Sequence, residues 1–296
     1  MKSPMKVPML VLSAMIAILF ATMIPSSFAI TSNTSPIFFS GPMIPSSSQP
    51  VSPNVVTGVS QFYSANWAGY AYNGTKDTIT KAQGSWIQPA VTCTPGKNDS
   101  QVAAFWVGID GLTSKTVEQT GTLAYCPQGS STASYYAWYE FYPAQPAKFV
   151  SKVTVNPGDK FEGIISFNST SSKFTVTLKD LTTGIHFTKS NPAGFTGKRS
   201  SAECIAEDPA GGNSAADGLY YLANFGTVQF GQDYTAAKNT CSVTVNGKIH
   251  AIGSLGARTD ELTMVNYYVP TIIMAQPSTL STDKKSFTAI WESLGY

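Results

Sequence analysis

From Phe62 to the C-terminus, short β-branched and aromatic runs alternate with clusters of Gly, Pro, Asn and Asp, a punctuation that leaves little room for helices. The runs fall at 82–87, 103–109, 135–142, 152–155, 160–167, 174–180, 227–230, 241–245, 263–269 and 286–291. Turn signals lie between them, as at Asn156-Pro157-Gly158 and Asn246-Gly247. Many short strands at this spacing predict an antiparallel sandwich or barrel. The stretch 220–225 suits a short helix or a strand. No internal repeat is evident, and hydrophobic residues at 43% supply one sizeable core. The expectation is a single all-β domain over 60–296.

Strand geometry sorts side chains by face. In 135–142, Tyr136, Trp138, Glu140 and Tyr142 oppose Ala137, Tyr139 and Phe141. Glu203, Ile205 and Glu207 oppose Cys204 and Ala206, and Val117 and Gln119 oppose Glu118. Carboxylates amid aromatic residues on strands predict a groove lined with rings.

The first residues read as an address rather than as fold. Lys2 and Lys6 precede an apolar run from Val7 to Ile24, and Ser27-Phe28-Ala29 has the small-x-small pattern of a signal-peptidase site. Residues 1–29 are therefore expected to be a secretory signal, cleaved after Ala29. An uncleaved anchor is the alternative, because the run is just long enough to span a bilayer. Residues 30–59 are rich in Ser, Pro and Thr, with almost no charge, and read as a propeptide or linker. Export gives meaning to Cys93, Cys126, Cys204 and Cys241, which contain no Cys-x-x-Cys pair. Two disulfides are expected, with three connectivities open; sequence proximity favours Cys93–Cys126 and Cys204–Cys241. Sequons at Asn33, Asn73, Asn98 and Asn168 add weak support for export.

Lys and Arg number 19 and Asp and Glu 17; without Lys2 and Lys6 the balance is zero. A neutral chain lacks the footprint of a nucleic-acid partner. The two histidines, His186 and His250, read as surface residues and leave little material for a metal site, so neither metal nor cofactor is expected. Gly-x-Ser-x-Gly, His-Glu-x-x-His and Gly-x-x-x-x-Gly-Lys are all absent. Asp110-Gly111 and Asp217-Gly218 do not match an aspartic-peptidase signature, and oxidised cysteines offer no thiol nucleophile. Carboxylates and carboxamides on strands remain. On spacing alone, a ring-lined groove suits sugar binding by stacking somewhat better than catalysis. Glu140 and Glu207 could also form the acid–base pair of a glycosidase.

Particular words shift that balance. Ser64-Ala65-Asn66-Trp67-Ala68-Gly69-Tyr70 is followed by Trp106-Val107-Gly108-Ile109-Asp110-Gly111 and Glu118-Gln119-Thr120-Gly121. Then come Ala137-Trp138-Tyr139-Glu140-Phe141-Tyr142-Pro143, Asp180-Leu181-Thr182-Thr183-Gly184 and Ala202-Glu203-Cys204-Ile205-Ala206-Glu207-Asp208. In this order the chain closely resembles the glutamic peptidases, or eqolisins, from about Asn66 to Trp291. The resemblance implies a concanavalin-like antiparallel β-sandwich of two curved sheets and a secreted, acid-acting endopeptidase taking protein or peptide substrates. It implies a catalytic dyad of Gln119 and Glu207. Trp67 and Trp106 match positions near the substrate cleft, and Asp110 and Glu140 match supporting acids. Tyr136 departs from the pattern, because the family often carries an acid there. A monomer without nucleic-acid or lasting membrane association is expected.

The residue types suit peptide hydrolysis. A glutamate can take a proton from water and return it to the leaving nitrogen. A glutamine can hold that water through its carbonyl and donate N–H to the oxyanion while staying neutral at every pH. A glutamate near its ordinary pKa of about 4.3 changes state in acid, where a histidine base is locked as imidazolium.

Overall fold

The computed structural model describes residues 38, 40–47, 58–211 and 218–295. The expected signal over 1–29 and most of 30–59 lie outside the described residues. Everything described falls in one compact unit, Pro36–Tyr296.

Eighteen strands, one turn of α-helix and two single 3-10 turns make up the described fold. In chain order the strands are β1 Ser60–Ser64, β2 Trp67–Asn73, β3 Ile79–Ile87, β4 Gln101–Ile109, β5 Val117–Cys126 and β6 Ser134–Tyr142. Next come β7 Gln145–Phe149, β8 Lys160–Asn168, β9 Lys173–Asp180, β10 His186–Ser190, β11 Ser201–Glu207 and β12 Tyr221–Leu222. The last are β13 Thr227–Phe230, β14 Ser242–Val245, β15 Lys248–Ala251, β16 Thr259–Val265, β17 Ile273–Pro277 and β18 Phe287–Trp291, with the helix α1 at Gln232–Thr235 before β14.

Hydrogen-bond pairing orders one layer as β7-β6-β5-β4-β11-β2-β16. The other runs β10-β9-β8-β3, with β13 and β14 both pairing β3. The two layers join along one edge, where β17 bridges β16 to β18 and β18 continues to β13. The ladder is antiparallel except at β1–β16 and β12–β4, which are parallel.

Between the layers lies the main core, with Trp86, Phe105, Val107, Phe161, Ile165, Val176, Phe230 and Phe287 buried. Each such side chain contributes roughly 1.5–3 kcal/mol on leaving water. In β9 every second residue is buried, the mark of a strand with one wet face. β4 is buried throughout because both its faces are covered. A second cluster on the other face of the first layer gathers Trp67, Trp106, Leu123, Trp138 and Ile205. The functional residues lie on this face.

Cys93 pairs with Cys126 and Cys204 with Cys241, the pairing that sequence proximity favours. In a chain-entropy account each closure stabilises by about 3–4 kcal/mol. The second bridge ties β11 in one layer to the residue preceding β14 in the other.

Two sequence expectations are corrected. Residues 152–155 form a turn rather than a strand, with the Val153 amide donating to the Val150 carbonyl. Val150, Val153 and Val155 are buried as a loop that closes one end of the core, so β-branched spacing arises there without a ladder. The run at 263–269 belongs to a strand that starts earlier and stops at Val265. It stops because an Asx turn at Asn266 intervenes: its side-chain carbonyl accepts from the Tyr268 and Val269 amides. Of 220–225, only Tyr221–Leu222 is regular, and it is strand.

Candidate active site

Strand register determines which side chains share the second face. Glu203 stands opposite Gly108 across β11–β4, Gly108 opposite Gln119 across β4–β5, and Gln119 opposite Glu140 across β5–β6. Ile205, Trp106, Gly121 and Trp138 form the next same-face row. Glu207 lies one row further, facing Ala104 on one side and Trp67 on the other. Gly108 makes the rows compatible: a Cβ there would lie 2.7 Å from the Trp106 ring, so the indole can lean across only a glycine.

Indole N–H groups aim the carboxyl of Glu207. Trp106 Nε1 donates to Glu207 Oε2 at 2.7 Å, and Trp67 Nε1 donates to Oε1 at 3.3 Å. Asn66 Nδ2 reaches Oε1 at 3.5 Å. The two indoles meet edge to face with centroids 4.9 Å apart, which fixes both donors. Across the cleft, Gln119 Nε2 donates to Glu140 Oε2 at 3.0 Å. Both members of the expected dyad reach one hydroxyl: Ser40 Oγ donates to Glu207 Oε2 and lies 3.3 Å from Gln119 Oε1. The Ser40 carbonyl accepts from Gln119 Nε2, and the Ser40 amide donates to Glu140 Oε2 at 3.2 Å.

Burial dominates the electrostatics. It pushes the Glu207 carboxyl up to about 8, against the opposing pull of Ser40, Trp106, Trp67 and Asn66. The sequence expectation of an ordinary value near 4.3 is thus corrected for the filled cleft, because a carboxyl enclosed by rings and chain has no water to stabilise its charge. Glu140 is held well above the carboxylate range, by burial first and then by the charge of Glu207, with the Gln119 and Ser40 bonds opposing.

Gln119, Glu207, Trp67, Trp106 and Glu140 therefore converge. Asp110 does not join them. Its carboxyl accepts from the Arg199 amide at 2.8 Å, the Ser200 amide at 2.9 Å and the Ser200 hydroxyl at 3.1 Å, fastening the loop that feeds β11. Glu118 and Asp110 both border Gly197, where a Cβ would come within 3 Å of either carboxyl. Burial, then Asp110 and Glu203, push Glu118 well up; burial, then Asp110, do the same to Glu203. Among the described residues, no group of three or more His, Cys, Asp or Glu is arranged to hold a metal ion. Sequence reasoning did not single out Asn66 or Trp138 as site residues, although both lie inside recognised words and Trp138 shares the face of Glu140. Ser40 and Phe38 carried no signal.

The arrangement defines a class: a curved two-layer β-sandwich holding a carboxamide and a carboxyl in a tryptophan-lined cleft. The chain belongs to the peptidase A4 family, whose sequence model matches residues 65–272. Aspergillopepsin-2 of Aspergillus niger is 35% identical over 187 residues, covering 57% of this chain; the chain spans 63% of that relative's length. Among solved structures, scytalido-glutamic peptidase with a transition-state analogue inhibitor superposes with a TM-score of 0.60 at 23% identity. That match covers 77% of this chain and 98% of the other. Aspergilloglutamic peptidase from Aspergillus niger gives a TM-score of 0.50 at 27% identity, over 65% of this chain and 99% of the other. These likenesses accord with the predicted β-sandwich.

Proposed function

We propose that the chain is a secreted endopeptidase that hydrolyses peptide bonds of protein substrates in acid, through Gln119 and Glu207. The observation that carries this reading is the convergence of both side chains on one hydroxyl position. In an open cleft a water stands there, held by Gln119 Oε1 and Glu207 Oε2. As the water attacks, Glu207 takes its proton, Gln119 Nε2 donates to the carbonyl oxygen that becomes anionic, and Glu207 returns the proton to the departing nitrogen. Trp67 and Trp106 keep the carboxyl aimed throughout. Glu140 holds the Gln119 amide in the orientation that points N–H at the oxyanion.

A base must be ionised, and a carboxyl near 8 is not ionised in acid. That value belongs to the cleft filled by Ser40. Admitting water lifts much of the burial penalty, while the three N–H donors from Trp106, Trp67 and Asn66 remain to favour the carboxylate. The acid limb of the pH–rate profile then reports Glu207 in the open cleft.

Sugar binding by ring stacking is disfavoured: the Trp67 and Trp106 N–H edges are committed to the Glu207 carboxyl, and the two rings pack on each other edge to face. We extend the proposal to the address of the chain, with 1–29 a removed signal, 30–59 a propeptide or linker and 60–296 the peptidase, acting as a monomer without nucleic acid or membrane. The two disulfides support an oxidising compartment.

Digestion of denatured casein between about pH 2 and 5 tests the function. Cleavage is expected to survive chelators, serine and cysteine reagents and pepstatin-like peptides; loss of activity with a chelator contradicts the mechanism. Gln119→Ala is expected to lower kcat by about 10²–10³, the cost of one oxyanion donor. An unchanged kcat with a native circular-dichroism spectrum removes Gln119 from the site.

A further inference from the structure

The fold presents the Asn-x-Ser/Thr triplets at Asn73, Asn98 and Asn168 in three different ways, while Asn33 lies outside the described residues. Asn73 ends β2, half-buried between β11 and β16, and its Nδ2 donates to the buried Asp260 carboxyl at 3.3 Å. Asn98 is exposed, but its Oδ1 accepts from the Tyr221 hydroxyl at 2.8 Å. The third residue of that triplet, Ser100, is buried, with its hydroxyl 3.1 Å from that of Tyr125. Asn168 is the last residue of β8, opposite Lys173 where the β8–β9 hairpin turns. Residues 168–173 are all exposed. Asn168 Oδ1 accepts from the Thr170 amide at 2.9 Å and from the Ser171 amide at 3.0 Å, an Asx turn that fixes the carboxamide. Those bonds engage only the oxygen. Among the described residues neither Asn168 Nδ2 nor the Thr170 hydroxyl has a hydrogen-bond partner.

We propose that Asn168 carries an N-linked glycan and that Asn73 and Asn98 stay bare. The inference rests on export of the chain, as proposed above. A transferase must reach both the amide nitrogen and the hydroxyl two residues on, and Asn168 with Thr170 offers both. The folded chain must also hold a bulky, solvated group without losing a native bond. A glycan on Asn73 would take a donor from Asp260, and at Asn98 the Ser100 hydroxyl is out of reach. The Asx turn prepares the nitrogen as well: two amide N–H groups draw electron density toward Oδ1, which leaves the Nδ2 hydrogens more acidic. In the transfer, Nδ2 bonds to the anomeric carbon of an oligosaccharide carried on a polyprenyl diphosphate. The carbon–oxygen bond to phosphate breaks, and the polyprenyl diphosphate leaves with that electron pair. One Nδ2 proton passes to a base of the transferase, and nothing is oxidised or reduced.

The site belongs to the second layer, whereas Gln119 and Glu207 meet on the outer face of the first. A glycan at Asn168 therefore leaves the catalytic cleft clear. It covers an exposed hairpin tip, the kind of segment at which folded chains are nicked by proteases. Without Lys2 and Lys6 the charges of the chain balance, so repulsion does little to keep copies apart, and a glycan supplies hydration in its place.

The test takes the protein from the culture medium of the organism that makes it and digests it to peptides. Electron-transfer fragmentation, which keeps a sugar on its residue, then reads each peptide by mass. The peptide holding Asn168 is expected to carry sugar mass in most copies, and the Asn73 and Asn98 peptides none. Asn168→Gln and Thr170→Ala, made in the same host, are each expected to lose that mass while keeping the parental circular-dichroism spectrum and the parental rate of casein digestion in acid. A bare Asn168 in the secreted protein overturns the inference. So does a glycan on Asn73 or Asn98, or a Thr170→Ala chain glycosylated like the parent. Those results leave export and the peptidase reading standing. A chain retained inside the cell overturns export, and this inference with it.

Discussion

Glu207→Gln is expected to lower casein hydrolysis by about 10⁴-fold or more, at or above the upper end for one acid–base group, because the same carboxyl serves two proton transfers. The substitution keeps shape and volume, and its carbonyl still accepts from an indole N–H. Its amide cannot move a proton. One donor of the Trp106, Trp67 and Asn66 set then meets an N–H instead of an oxygen, costing roughly 1–3 kcal/mol in acid. Native circular dichroism with no turnover is the predicted outcome. A variant retaining even a tenth of parental kcat/KM would show that another group does the proton chemistry.

The second large effect is on stability. The described chain is expected to be most stable in acid and to lose stability toward neutral pH. Glu207 is pushed up to about 8 and Asp260 to about 7 by burial, and Glu118, Glu140 and Glu203 are raised as well. Each carboxyl binds its proton more tightly folded than unfolded. The associated stability is fully present below the unfolded pKa of about 4.5 and is lost as pH rises through the folded value. For Glu207 the window runs from about 4.5 to about 8, and the loss is on the order of 5 kcal/mol. Against a total of about 5–15 kcal/mol, this predicts a fall in Tm of roughly 10–20 °C between pH 4 and 8. Thermal melts across that range check it; a Tm that rises toward neutral pH contradicts the sign. The two predictions meet in one variant. Glu207→Gln carries no ionisable group there, so it should melt at or below the parent in acid and above it near pH 8. The charge that weakens the fold is that of Glu207 in the cleft filled by Ser40.

Much of the fold was legible because strand period and turn chemistry are local. The sequence runs at 103–109, 135–142 and 160–167 all fall within observed strands, and the alternation in 135–142 correctly put Trp138 and Glu140 on one face. Val153 and Val155 misled, since a loop can bury β-branched side chains as well as a strand can. The convergence of Gln119 with Glu207 was legible only through family words: the two residues lie on different strands with β4 between them, and their side chains meet at the Ser40 hydroxyl. Ser40 was not legible at all. It sits in an uncharged Ser/Pro-rich stretch, and its hydroxyl and backbone contacts to the site come from tertiary placement that no local pattern encodes. The raised carboxyl of Glu207 was missed for a related reason, because burial is a property of the assembled cleft.

The most direct test is a structure of the processed domain with a peptide aldehyde bound, whose hydrate mimics the tetrahedral intermediate. The account predicts one hydrate oxygen within about 3 Å of Gln119 Nε2 and the other within the same reach of the Glu207 carboxyl. A hydrate seated in the cleft with neither side chain in contact contradicts it.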